Sequence, residues 1–219
     1  HPQAYVIEEV TDDRHVQASA SVRRLRFVRA GVAIFALAAA VAIIGVSADA
    51  TNVYNQTSVA GQYYLPLWPN RMSTQPATAL LASAGIVAFL HATFLAVSYL
   101  PGSSARLSLG NAVAAIAAVV GLILGIFSVV YSGILDNSAD TYTLRTWTCE
   151  WGSLVQTPVA DFGHMCAESK AAIGLMIMVV VVEALNLLLA GLGFWMERRA
   201  RKVRAVEKAD FADQRSQRS

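Results

Sequence analysis

Four long apolar runs divide the chain, and polar segments separate them. The runs cover about residues 28–48, 77–100, 107–133 and 171–196. At about 1.5 Å per residue, a helix of about twenty apolar residues crosses the roughly 30 Å hydrocarbon core of a bilayer. The pattern predicts an all-α membrane protein in which residues 23–196 form a four-helix transmembrane bundle, flanked by polar tails at 1–22 and 197–219. We expect the first tail to be poorly ordered or peripheral because it lacks a sustained apolar period.

The composition agrees with a membrane protein. The 219 residues are 55% hydrophobic and their mean hydropathy is +0.47, which is too apolar for an ordinary soluble domain. The formal net charge is only +2, but the basic residues gather before the first apolar run and after the last. This distribution favours membrane lipids over nucleic acid as the partner of the basic residues.

The basic residues also predict the orientation of the spans. Ten lie in short flanks on one side: Arg23, Arg24, Arg26, Arg29, Arg106, Arg198, Arg199, Arg201, Lys202 and Arg204. The other side has Arg71, Arg145 and Lys170. The positive-inside rule therefore predicts that both termini are cytoplasmic, as is a tight turn at 101–104, and that the loops at 49–75 and 136–170 are outside.

The two cysteines lie in the second of these outer loops. Cys149 and Cys166 are the only cysteines of the chain, and their shared polar segment predicts one disulfide in an oxidising compartment. A metal site with His164 is the alternative, but it leaves Cys149 unpaired and offers too few ligands. We therefore expect a disulfide-bearing outer loop and no metal.

A glycosylation sequon lies in the first outer loop. Asn55 begins the sequence Asn-Gln-Thr, which is an acceptor for N-glycosylation if this loop is lumenal, although so short a pattern also arises by chance. Together with the disulfide, it favours the plasma membrane or a secretory-pathway membrane.

Polar side chains interrupt two of the apolar runs. Glu183 lies near the middle of the last run, with Asn186 three residues on, and His91 lies at a similar depth in the second run. A carboxylate in hydrocarbon is costly unless it is paired, so we expect Glu183 to face the interior near His91. The pair has three interpretations: polar contacts that hold the bundle together, contact with a lipid or partner subunit, and a proton-linked or substrate-linked site.

Small residues and basic residues mark two further surfaces. Gly121 and Gly125 form a GxxxG pair in the third run, which favours close helix packing either inside the bundle or between two copies. After the fourth run, Arg198, Arg199, Arg201, Lys202 and Arg204 either bind anionic lipid or act only as a topology signal.

No motif in the sequence identifies a reaction. The chain has no P-loop, no dinucleotide glycine fingerprint, no HExxH and no GxSxG. We therefore expect no enzymatic activity and no cofactor.

The four spans, the cytoplasmic termini, the short cytoplasmic turn and the cysteine pair together resemble the layout of MARVEL-type tetraspan proteins. The residues Trp147, Cys149, Trp151 and Cys166 are also similar to the tryptophan and cysteine signature of claudin-like proteins, which stands in the first outer loop there and in the second here. The resemblance implies a non-enzymatic membrane organiser that associates laterally with copies of itself or with other integral membrane proteins.

Two alternatives of other classes remain. A small transporter or channel subunit would use Glu183 and His91 to carry protons or substrate. An accessory subunit of a larger membrane complex would need neither residue to react.

Overall fold

The computed structural model describes residues 3–58, 68–69, 71–99, 105–152 and 161–216, and it is mostly helical. The elements in chain order are α1 (Gln3–Thr57), β1 (Met72–Ser73), α2 (Gln75–Tyr99), α3 (Ala105–Asp136), β2 (Tyr142–Thr143), α4 (Leu144–Trp151) and α5 (Phe162–Ser216). Four stretches are long and apolar enough to cross a membrane: Phe27–Thr57, Gln75–Tyr99, Ala112–Asp136 and Phe162–Trp195. Among the described residues, the prediction is confirmed in its coarser part: the chain is mostly helical and has four helices long and apolar enough to span a membrane.

The four long helices pack in a ring. Helix α1 lies against α2 and α5, and α3 lies against the other sides of α2 and α5, so that α2 and α5 face each other across a diagonal. Small side chains allow this approach: Ala36, Ala40 and Ala84 are almost completely buried. Larger residues fill the space between the helices, with Ile43, Val87 and Met176 at the centre of the core. Many exposed large apolar side chains point outward, as expected for surfaces that meet lipid.

The first and last helices, α1 and α5, are both longer than the predicted spans. Helix α1 begins at Gln3, so the segment that we expected to be poorly ordered is helical, and α5 continues through the basic tail to Ser216. Residues 3–22 contain no glycine or proline and are rich in helix-forming residues, which explains why a helix continues without an apolar period. Helix α1 also extends nine residues into the predicted polar loop, to Thr57, and the hydroxyls of Thr51 and Thr57 bond to backbone carbonyls four residues earlier.

The end of the bundle that carries both cysteines, called the disulfide end, is a structured cap. Its apolar cluster comprises Ala50, Trp68, Leu144, Phe162 and Met165. The ring of Trp68 meets Tyr54 and Phe162 edge-on, and its Nε1 donates a hydrogen bond of 2.9 Å to Thr57 Oγ1. Two aromatic residues of the predicted first outer loop, Tyr54 and Trp68, thus form part of a folded layer.

Two connections meet in this cap. Strand β1 precedes α2 and strand β2 precedes α4, and the two pair in parallel with Met72 opposite Tyr142. Thr143 begins α4 with a capping box shared with Thr146, and Asp161 Oδ1 accepts a hydrogen bond of 3.0 Å from His164 N at the start of α5. The described part of the segment predicted as one loop over 136–170 therefore contains strand β2, the whole of helix α4 and the first turns of helix α5. The predicted turn at 101–104 lies outside the described residues.

Candidate functional site

The central polar contact of the bundle joins α2 to α5. His91 Nε2 lies 2.5 Å from Glu183 Oε1, and the two side chains are 3% and 0% exposed. Because α2 and α5 face each other across the diagonal of the ring, this contact crosses the middle of the bundle. The structure brings together the two residues that the sequence placed at matching depth.

The geometry requires one hydrogen between the two atoms. At 2.5 Å, the imidazole nitrogen and the carboxyl oxygen make a hydrogen bond in which either the ring N–H or the carboxyl O–H is the donor. The contact therefore holds both polar groups together without water. Removing one partner would leave the other unpaired where desolvation is most costly.

The second carboxyl oxygen has a partner on its own helix. Asn186 Nδ2 donates to Glu183 Oε2 at 3.4 Å, one turn further along α5. This bond is long, so it is weaker than the contact with His91. Asn186 is nevertheless buried, and its amide donates to the carboxyl oxygen that His91 does not contact. The three residues of the predicted polar cluster are thus in one hydrogen-bonded chain.

Helix α3 closes the third side of Glu183 with a glycine. A Cβ atom built on Gly121 would lie 2.9 Å from Glu183 Cδ and 2.9 Å from Oε1, so only glycine leaves room for the carboxyl group in this position. One turn on, a Cβ on Gly125 would lie 2.6 Å from Val180 Cγ2. The GxxxG pair therefore packs α3 against α5 inside one chain, in agreement with the first of its two interpretations.

A small cleft lies on the far side of His91. Arg29, His91 and Asn186 line it together with apolar residues of α1, α2 and α3. It offers about 10 Å³ to the centre of a water molecule, which is about the space of one water. His91 Nδ1 is buried and has no hydrogen-bond partner among the described residues. The ring thus has one nitrogen bound to Glu183 and one nitrogen free for a water.

A second polar contact between helices was not predicted. Ser128 Oγ on α3 donates to Ser83 Oγ on α2 at 2.6 Å, and both residues are buried. The presence of Ser83 and Ser128 in two apolar runs indicates such a contact, because hydroxyl groups in membrane-spanning helices often hydrogen-bond to neighbouring helices. Serine also bonds readily to its own helix, so its presence alone does not predict which partner it takes.

The two cysteines lie on different elements of the cap. Cys149 on α4 and Cys166 on the first turns of α5 form a disulfide that closes a separation of 17 residues. The bond therefore ties the short helix α4 to α5. His164 lies elsewhere, with its Nδ1 at 3.5 Å from Glu168 Oε1. Among the described residues, no group of three or more His, Cys, Asp or Glu side chains is arranged to hold a metal ion.

The remaining predicted residues lie at the two ends. Asn55 is exposed on the last turn of α1, and its glycosylation stays a prediction. Arg198 lies with its guanidinium 4.7 Å from the ring centre of Phe194, which matches a cation–π contact. Arg199, Arg201, Lys202 and Arg204 continue the backbone of α5, but their side chains are outside the described set. Binding of anionic lipid by this segment also stays a prediction.

Comparisons with known proteins add one match. A family model described as "Domain of unknown function (DUF8762)" matches residues 5–217. No curated protein and no solved structure matches the chain.

Proposed function

The chain belongs to the DUF8762 family, and on that premise we propose that it is a non-enzymatic tetraspan scaffold that organises a membrane assembly by lateral association. The observation that carries the proposal is the set of contacts made by the carboxyl group of Glu183. Its two oxygens bond to His91 and Asn186, and Gly121 closes the space beside it. An intramembrane carboxylate is a functional candidate by default, and here one carboxyl oxygen joins α5 to α2, the other bonds within α5, and α3 packs against the group.

The surface of the bundle supports the same proposal. Helix α3 exposes Ile116, Ile123, Phe127, Val130 and Ile134, which are spaced by three, four or seven residues and so form one apolar stripe. A rigid bundle with continuous apolar outer faces suits side-by-side contact with copies of itself or with other spans. We place both termini in the cytoplasm and the disulfide end outside, from the positive-inside rule and the oxidising environment that a disulfide needs. The layout resembles that of MARVEL-type tetraspan proteins.

Association in a bilayer tests the proposal. Ala139 is exposed in the connection after α3, and both native cysteines are in the disulfide, so Ala139→Cys provides a single thiol for donor and acceptor dyes. We expect energy transfer in proteoliposomes to exceed the value for random proximity and to rise with the ratio of protein to lipid. Transfer at the random value over the whole range, with no integral membrane protein co-purifying from native membranes, would contradict a scaffold.

One observation favours a second candidate function, a small proton-linked transporter or channel subunit. His91 lines a cleft with space for about one water, and its Nδ1 has no hydrogen-bond partner among the described residues, so a water there would give a proton a route through the ring to Glu183. Glu183→Gln separates the two candidates because the amide keeps the size and hydrogen bonding of the side chain but has no acidic proton. A scaffold retains dye transfer in this variant, and a transporter loses a proton flux that the unsubstituted protein carries in the same vesicles.

An accessory subunit of a larger membrane complex is distinguished by native purification. If the chain is an accessory subunit, it co-migrates with a fixed set of different subunits when it is extracted from its membrane in mild detergent. A scaffold built from copies of this chain gives bands that contain this chain alone.

A further inference from the structure

A cavity at the disulfide end lies apart from the Glu183 cluster, and its lining combines mostly apolar surface with several polar side chains. It is enclosed by α1, α2, α3, α4 and α5 and has a volume of about 30 Å³, measured as the space open to the centre of a water molecule. This is room for about two water-sized groups. Its polar lining includes Ser47, Ser132, Asp136, Arg145 and Glu168. The cavity is therefore too small for an organic ligand and suited to an ion or water.

Three of the lining oxygens have no partner. The hydroxyls of Ser47 and Ser132 belong to side chains that are 4% and 1% exposed, and neither makes a hydrogen bond within the described residues. Glu168 Oε2 is buried and also without a partner, while Oε1 of the same carboxyl group lies beside His164. Buried polar atoms are nearly always paired, so this group of oxygens needs an occupant.

Several hydroxyls elsewhere in the helices behave differently. Four threonines of α1, α2 and α4 bond to the backbone carbonyl four residues earlier, as serine and threonine commonly do in helices: Thr51, Thr57, Thr93 and Thr148. Ser47 and Ser132 have the same option and do not use it. Both hydroxyls are therefore unpaired, and both residues line the cavity.

The charges around the cavity favour a cation. Asp136 and Glu168 are acidic, and Arg145 is the one basic residue in the lining. Arg145 Nη2 lies 2.5 Å from Asp136 Oδ2, and this ion pair is buried on the Asp136 side. The carboxylate of Glu168 remains as the excess negative charge. One excess charge and neutral hydroxyls suit a monovalent ion, because calcium takes six to eight oxygen ligands, usually several of them charged.

We propose that this cavity binds one monovalent cation of the size of sodium, held by the hydroxyls of Ser47 and Ser132 and by the carboxylate of Glu168, with water completing its shell. Hard cations prefer such oxygen ligands. The bound ion joins α1, α3 and α5 at the level where the cap begins. The site goes beyond the proposed scaffold function and does not depend on it.

The melting temperature of the full chain in detergent tests the site. At equal ionic strength, sodium chloride should raise it over choline chloride by roughly 3 °C or more once sodium reaches about ten times its dissociation constant, because a ligand that binds only the folded state stabilises that state. Calcium chloride at matched ionic strength should give no larger rise. Equilibrium dialysis with radioactive sodium should find one bound ion per chain.

Two serines one turn apart on α3 provide the matched control. Ser132→Ala removes a proposed ligand, whereas Ser128→Ala removes a hydroxyl that bonds to Ser83 away from the cavity. We expect Ser132→Ala and Ser47→Ala to lose the difference between sodium and choline, and Ser128→Ala to keep it even if it melts earlier in both salts. Glu168→Gln should also lose the difference.

Four results would overturn the proposal. The first is an equal melting temperature in sodium and choline, which means that the cavity holds water only. The second is a sodium effect that persists in both Ser47→Ala and Ser132→Ala, which places the ion elsewhere. The third is stabilisation by calcium alone. The fourth is dialysis that finds no bound sodium.

Discussion

Two buried polar clusters lie at different levels of this bundle and are built in opposite ways. Around Glu183, in the middle of the membrane-spanning helices, each carboxyl oxygen has a side-chain partner and a glycine of α3 closes the remaining space. At the disulfide end, Ser47, Ser132 and Glu168 leave oxygens unpaired around a cavity. The difference shows that depth decides how polarity is accommodated: deep groups must find partners on other helices, and groups near the end of the bundle have access to water and ions.

Among substitutions in these two clusters, we expect Glu183→Leu to lower the stability of the bundle most. The substitution leaves His91 buried without its partner, and losing one member of a buried pair costs about 3 to 5 kcal/mol. We expect a marked fall in the melting temperature of the detergent-solubilised protein. Glu183→Gln should have a small effect, since the amide still bonds to the imidazole.

A double substitution checks the explanation. His91→Leu combined with Glu183→Leu removes both polar groups, so no unpaired group remains, and the double variant should melt above Glu183→Leu alone. If the double variant is as unstable as the sum of the two single variants, the contact does not hold the bundle together and the loss is one of packing only.

At the disulfide end, the covalent bond provides stability that packing does not. Replacing Cys149 and Cys166 with serine releases a loop of 17 residues, which costs about 3 kcal/mol on the chain-entropy account. We expect faster hydrogen exchange in α4 and in the first turns of α5, with no change around His91. Uniformly faster hydrogen exchange over the whole bundle would contradict the claim that the disulfide stabilises only the cap.

The smallest of the three effects concerns the glycines of α3. Gly125→Ala places a Cβ atom 2.6 Å from Val180 Cγ2, and such overpacking costs about 1 to 3 kcal/mol. Gly133, two turns further on, is the matched control, because a Cβ there meets nothing within 4 Å. Gly133→Ala should leave the melting temperature unchanged or raise it slightly. Equal losses from both substitutions would mean that helix α3 does not pack through Gly125.

The sequence was sufficient for the deep cluster because few solutions exist there. A carboxylate inside an apolar run must be paired, and counting residues from the ends of two runs of the same direction placed His91 at its level. The same reasoning explains why Gly121 was identified, although its specific role beside Glu183 needed coordinates. Because an unpaired carboxylate in the hydrocarbon region is costly, few arrangements of Glu183 are possible, and its partner can be predicted from the sequence.

The cap was less predictable because its elements are short and depend on distant partners. Two-residue strands carry no periodic pattern, and β1 and β2 take their shape from each other across the chain. The continuation of α1 to Thr57 was missed because its polar residues suggested a loop, while the last turn is held in the cap by the contacts of Trp68 with Tyr54 and Thr57. The hydroxyls of Ser47 and Ser132 differ from that of Ser128 in having no partner, which no sequence pattern records.

The parallel pair of β1 and β2 has a consequence for the order in which the protein is made. Met72 and Tyr142 stand opposite each other, and all of α2 and α3 lies between them in the chain. During synthesis, β1 emerges first and stays without its partner until both intervening helices have been inserted and packed, because joining such distant segments earlier carries the full entropy cost of loop closure. A chain that ends before Tyr142 lacks the partner of β1, so the cap is completed only after α2 and α3 have been made.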